Sequence, residues 1–157
     1  MRLPQHGGCF CGALRYAITR APVAIYTCHC TNCQRLLGSA FSLSLIVADE
    51  AFQLSGGEPQ PIQRVTDSGR TAIRWICPDC ATIVCSGTKP GLPSPVAFRR
   101  VQAGTLDDTS WLRPTAHFWT RSAQPWVVLS PDGQRFETQP ADTMGFLLSQ
   151  QAAAGEL

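Results

Sequence analysis

Charge is scarce in this sequence: Asp, Glu, Lys and Arg make up 15% of its 157 residues, and Lys89 is the single lysine. The thirteen basic and eleven acidic residues are scattered, and the only adjacent basic pair is Arg99-Arg100. The basic stripe that grips nucleic acid is therefore missing, and no nucleic-acid partner is expected. Long apolar runs are missing too, none approaching the roughly 18 residues of a spanning helix, so no membrane partner is expected. Residues Met1 to Gly8 contain no apolar core of a signal peptide, which makes a cytoplasmic location the default expectation. No internal repeat or linker divides the chain, and its length suits one domain over residues 1–157.

What the chain does have is cysteine, eight in all, at positions 9, 11, 28, 30, 33, 77, 80 and 85. Seven of them fall into three tight clusters. A disulfide framework staples distant segments and has no reason to place thiols two or three residues apart. A metal site does, because several ligands must converge on one ion, and clustered thiols without an export signal read as zinc.

Between these clusters the chain reads as short strands. Ala13–Thr19 and Phe41–Val47 alternate apolar and polar residues; further strand-like runs are Phe52–Leu54, Ile62–Val65, Ala72–Ile76, Thr82–Cys85, Val96–Gln102, Ala116–Trp119 and Trp126–Leu129. Turn signals separate them at Ser55–Gly57, Asp67–Gly69, Lys89–Gly91 and Ser130–Gly133. The fold class is thus mainly β. Two helices are expected. One is Thr31–Leu37, with Thr31 as N-cap and Gly38 after its end; the other begins at Asp142 and runs through Leu148, its tail Gln150–Leu157 frayed.

Structural zinc takes four ligands, whereas catalytic zinc keeps three and an exchangeable position. Two pairs and a triplet therefore partition as four and three. Cys9, Cys11, Cys77 and Cys80 would enclose one ion, with glycines at 7, 8 and 12 letting the first pair turn and Cys77-Pro-Asp-Cys80 forming a knuckle. Cys28, Cys30 and Cys33 would hold the second, with Cys33 in the first helical turn where amide groups favour thiolate. The alternative is a closed second site, with Cys85, His29 or His117 as fourth ligand. His6 is expected to be exposed.

Taken together, Gly7-Gly-Cys-Phe-Cys-Gly-Ala-Leu-Arg-Tyr16, Cys28-His-Cys-Thr-Asn-Cys-Gln-Arg35, Gly38-Ser-Ala-Phe41, Cys77-Pro-Asp-Cys80, Ala103–Asp108, Pro114–His117 and Pro125-Trp126 resemble the glutathione-dependent formaldehyde-activating enzyme family (which includes centromere protein V-like members) over about residues 6–130. The resemblance implies a β-tent fold of small antiparallel sheets stapled by zinc. It implies a structural zinc on Cys9, Cys11, Cys77 and Cys80 and a catalytic zinc on Cys28, Cys30 and Cys33. The activity it implies joins glutathione to formaldehyde, and in reverse is a carbon–sulfur lyase step. Glutathione has two carboxylates and needs cations; the candidates are Arg35, Arg64, Arg70, Arg74, Arg99 and Arg113, with Arg35 preferred beside the triplet. Two positions depart from the family pattern. Ala81 stands where glycine usually follows the knuckle, and Gln34 stands where a basic residue is frequent. The rival functional readings are a zinc-stabilised binding module without catalysis and a thiol or metal sensor.

Overall fold

The computed structural model describes residues 1–65, 71–92 and 98–155. The Asp67–Gly69 turn, Arg70 and the first residues of the Val96–Gln102 run lie outside them. The chain is mainly β, with eleven strands and two α-helices among the described residues, and divides into two compact units. No helix among the described residues is long and apolar enough to cross a membrane.

The first unit comprises Met1–Pro22 and Ile46–Trp111. Strands β1 (Gln5–Gly8), β2 (Leu14–Ile18) and β5 (Phe52–Gly56) form an antiparallel sheet in the order β1-β2-β5. Alternation on β2 buries Leu14, Tyr16 and Ile18, and Tyr16 stacks on Phe52 with centroids 5.0 Å apart. Gly7 permits this packing: a Cβ there would lie 2.3 Å from the Tyr16 hydroxyl and 2.5 Å from the Thr105 carbonyl. Gly7 and Gly8 therefore belong to a strand, and of the glycines flanking the first cysteine pair only Gly12, at φ 83°, turns the chain.

An antiparallel meander follows in the same unit, from β6 (Gln60–Val65) through β7 (Thr71–Ile76) and β8 (Ile83–Ser86) to β9 (Phe98–Gln102). Its core includes Val84, Cys85 and Val101, all at most 1% exposed. Arg99 is buried among them, paired with Asp49 at 2.7 Å and donating to the Thr88 carbonyl at 2.7 Å. Its guanidinium also lies 5.3 Å from the Phe52 ring centroid.

The second unit comprises Val23–Leu45 and Leu112–Leu157. Its strands are β3 (Ala24–Cys28), the first half of β4 (Ser42–Ala48), β10 (Ala116–Phe118) and β11 (Gln134–Phe136), in the order β11-β10-β3-β4. Here β10 runs parallel to both β3 and β11, where only antiparallel ladders were expected. Tyr26 stacks on Phe118 at 4.6 Å, and Phe118, Phe136 and Phe146 meet edge to face at 5.4–5.6 Å. Phe146 comes from α2 (Thr143–Gly155), so this aromatic triangle docks the helix. The helix continues to Gly155, further than the frayed tail expected from residue 150.

The other helix, α1 (Thr31–Leu37), has the expected span but a different cap. Cys30 is the N-cap, its sulfur accepting from the Cys33 amide at 3.3 Å, and Gly38 at φ 58° ends the helix. The Trp126–Leu129 run is not a strand. Its first residues form a turn closed by the Val127 amide on the Gln124 carbonyl at 3.0 Å.

Candidate metal centres

The first unit turns twice around sulfur. The β1–β2 hairpin turn carries Cys9 and Cys11, and is closed by the Cys9 amide on the Leu14 carbonyl (3.0 Å) and the Gly12 amide on the Cys9 carbonyl (3.1 Å). The β7–β8 turn carries Cys77 and Cys80, closed by the Ala81 amide on the Cys77 carbonyl at 2.9 Å. The four sulfurs of these turns all lie within 4.8 Å of one another. Cys9 and Cys11 are 3.4 Å apart, and Cys11 and Cys77 are 3.7 Å apart. A tetrahedral zinc with bonds of about 2.3 Å needs sulfur–sulfur edges of about 3.8 Å, so the donor set fits that ion.

The protonation of these thiols carries the same message. Hydrogen bonds from the Thr82 hydroxyl and amide bring Cys80 down to about 6. The amide of Ala13 favours the Cys11 thiolate, but Cys9, partial burial, Cys80 and Cys77 together push Cys11 up to about 12. Four crowded sulfurs cannot all ionise alone, whereas a bound divalent cation would remove that conflict. Thr82 also accepts from the Phe10 amide at 3.1 Å and lies 3.2 Å from Cys80 Sγ. It thus touches both turns, a role with no signal in the local sequence.

The second cluster lies in the second unit. Cys28 ends β3, Cys30 caps α1 and Cys33 lies in its first turn, so strand end, turn and helix start converge. Their sulfurs lie within 4.8 Å of one another, and among the described residues no fourth Cys, His, Asp or Glu joins the group. Cys28 is buried and Cys30 and Cys33 are half-buried, which leaves one side of the cluster facing solvent. Cys30 and Cys33, then burial, push the Cys28 thiol far above its ordinary value, again a crowding that a cation would relieve. Three thiolates suit a zinc ion that retains an exchangeable position.

The three side chains considered as a closing ligand are engaged elsewhere. Cys85 is buried in the first unit with its sulfur 3.6 Å from Arg99 Nη1. His29 Nε2 and His117 Nδ1 both meet the Thr27 hydroxyl, at 2.9 and 2.7 Å. Burial holds both imidazoles below their ordinary range, aided for His29 by His117 and for His117 by Arg135, so both are neutral at pH 7. Thr27 and both histidines line a cavity of about 350 Å³ whose walls include Phe41, Leu43 and Leu129.

The backbone between the triplet's first two cysteines is tightly held. The His29 amide donates to the Phe118 carbonyl at 2.9 Å, while the His29 carbonyl accepts from Gln34 Nε2 at 2.7 Å and Ser122 Oγ at 3.1 Å. Arg35 is exposed in the last turn of α1. Arg113 is exposed in the same unit and donates to the Leu112 carbonyl at 2.7 Å. Arg64, Arg74 and Arg99 belong to the first unit, with Arg74 and Arg99 buried.

Comparison with curated proteins finds no match. A sequence model of the glutathione-dependent formaldehyde-activating enzyme family matches residues 4–122, well over half of the chain and a span holding all seven clustered cysteines. By that match the chain belongs to the glutathione-dependent formaldehyde-activating enzyme family.

Proposed function

We propose that this protein is an enzyme of thiol–aldehyde chemistry, joining glutathione or another small thiol to formaldehyde or a related aldehyde. In reverse it is a carbon–sulfur lyase. The observation that carries this reading is the three-sulfur cluster of Cys28, Cys30 and Cys33, with no fourth protein donor among the described residues. In the reaction a sulfur–carbon bond forms, the carbonyl π bond breaks, and the thiol proton ends on the new hydroxyl. Zinc held by the triplet would keep an incoming thiol deprotonated at neutral pH. A second zinc, on Cys9, Cys11, Cys77 and Cys80, is the structural ion in this reading.

The chain's own residues supply position. The Cys33 amide donates to Cys30 Sγ at 3.3 Å and holds that sulfur at the start of α1. Gln34 and Ser122 fix the His29 carbonyl and with it the spacing of Cys28 and Cys30. Arg35, exposed and adjacent to this loop, is the cation assigned to a glutathione carboxylate. The addition expels no leaving group and the new bonds offset the carbonyl π bond lost, so bringing the reactants together supplies most of the acceleration. The reaction class suits a cytoplasmic setting.

Exchange NMR of formaldehyde with a panel of thiols, with and without protein, tests the reading. Accelerated exchange for glutathione or another small thiol supports it. Exchange unchanged for every thiol overturns it in favour of a non-catalytic zinc module.

A further inference from the structure

Gln34 directly follows the triplet on α1, and its uncharged carboxamide has no spare donor. Nε2 donates to the carbonyls of His29 (2.7 Å) and Ser122 (2.9 Å), and Oε1 accepts from Gln124 Nε2 at 3.2 Å. Ser122 Oγ donates to the same His29 carbonyl at 3.1 Å. The 3₁₀ turn Thr120–Ser122 is therefore fastened to the backbone between Cys28 and Cys30.

That turn presents Arg121. Its guanidinium lies 5.0 Å from the Trp119 ring centroid, it is exposed, and it makes no ion pair among the described residues. Stacking uses the flat face of a guanidinium and leaves its N–H edge free for a bidentate carboxylate. Trp119 has φ 60°, a left-handed conformation that bulky residues rarely adopt. Its amide donates to the Thr138 carbonyl at 3.2 Å, and the Arg121 amide to the Glu137 carbonyl at 3.4 Å. Such strain persists where the surroundings over-determine it, and it clusters at ligand-binding segments.

We propose that Arg121 sets substrate specificity at the triplet, its guanidinium taking a carboxylate of an anionic thiol that the uncharged Gln34 cannot pair. This rests on reading the triplet as a thiol site. With Arg35 it gives two cations on elements flanking the triplet for the two carboxylates of glutathione.

The test compares Arg121→Gln with Arg135→Gln, each removing one exposed positive charge from the same unit. S-methylglutathione, which keeps both carboxylates and has no free thiol, is titrated into each zinc-loaded protein by calorimetry. Formaldehyde exchange is measured with glutathione and with uncharged 2-mercaptoethanol. Arg121→Gln is expected to weaken S-methylglutathione binding about tenfold, the scale of a lost charge-assisted pair. It should slow glutathione exchange comparably and leave 2-mercaptoethanol exchange unchanged, with Arg135→Gln near wild type throughout. Arg121→Lys should recover part of the lost affinity. Equal losses in both glutamine variants, equal losses for both thiols, or no S-methylglutathione binding to wild type would overturn the proposal. If no thiol exchanges, the thiol–aldehyde reading fails, while the calorimetric comparison still decides the role of Arg121.

Discussion

The amide of Phe10 donates to the hydroxyl of Thr82 at 3.1 Å, joining two hairpin turns 72 residues apart in the chain. The same hydroxyl lies 3.2 Å from Cys80 Sγ, so a single threonine spans both halves of the four-sulfur centre. Residues around a metal that orient its ligands typically change metal affinity by about 10–100-fold when altered. Thr82→Val removes both contacts and keeps the volume. The account predicts that one zinc per chain is lost to a competing chelator at about one-tenth of the concentration needed for wild type, the other being unaffected.

The two centres differ in what their loss does. In the proposed reading Cys77→Ser or Cys9→Ser would remove a ligand from an ion that ties two hairpins, and folding of the first unit would depend on that ion. These variants are predicted to give broad, unfolded amide spectra. Cys30→Ser is predicted to lose one zinc by elemental analysis while its thermal midpoint stays within a few degrees of wild type. A folded Cys77→Ser carrying one zinc contradicts this assignment.

Ala81 lies at φ 58°, a conformation that costs an L-residue roughly 1–2 kcal/mol and a glycine almost nothing. Glycine also loses more backbone entropy on folding, by about 0.5–1 kcal/mol relative to alanine. The balance favours Ala81→Gly, predicted to raise stability by about 0.5–1 kcal/mol in urea denaturation of the zinc-loaded protein. Most alanine-to-glycine changes go the other way.

Gly7→Ala meets the opposite constraint, since its Cβ would overlap the Tyr16 hydroxyl and the Thr105 carbonyl. Tyr16 is 1% exposed and hydrogen-bonded to Thr105 at 2.8 Å, so it cannot swing away without loss. Destabilisation of about 2–3 kcal/mol is predicted, the upper range for overpacking. Tyr16→Phe in the Gly7→Ala background should recover part of it, because the nearest atom of the clash is then gone.

The cysteine centres were legible because their information is local. Cys28, Cys30 and Cys33 are forced together by a strand end and one helical turn, and each pair is held by one hairpin turn. Strands with regular alternation, such as β2, were legible for the same reason. Strand β3 was not: all five residues of Ala24–Cys28 are buried, so no alternation marks it, although it delivers Cys28. Strand β1 was hidden by its two glycines, one of which Tyr16 requires. Trp126–Leu129 has strand composition, but its first residues are taken up in a turn and no ladder forms. Cys30 displaced Thr31 as cap because a sulfur already held in the triplet can accept the Cys33 amide. Thr82, Gln34 and Ser122 matter only through partners brought close by folding, which no window of sequence displays.

The central claim is that one zinc is enclosed by four sulfurs and the other is held by three with a position left open. Zinc-edge X-ray absorption on protein carrying two ions per chain measures this directly. The account predicts an average of three and a half sulfur neighbours per zinc, at about 2.3 Å, with the remaining half a lighter atom that added thiol replaces by sulfur. Four sulfurs per zinc before any thiol is added, or a lighter-atom shell that thiol leaves unchanged, would contradict it.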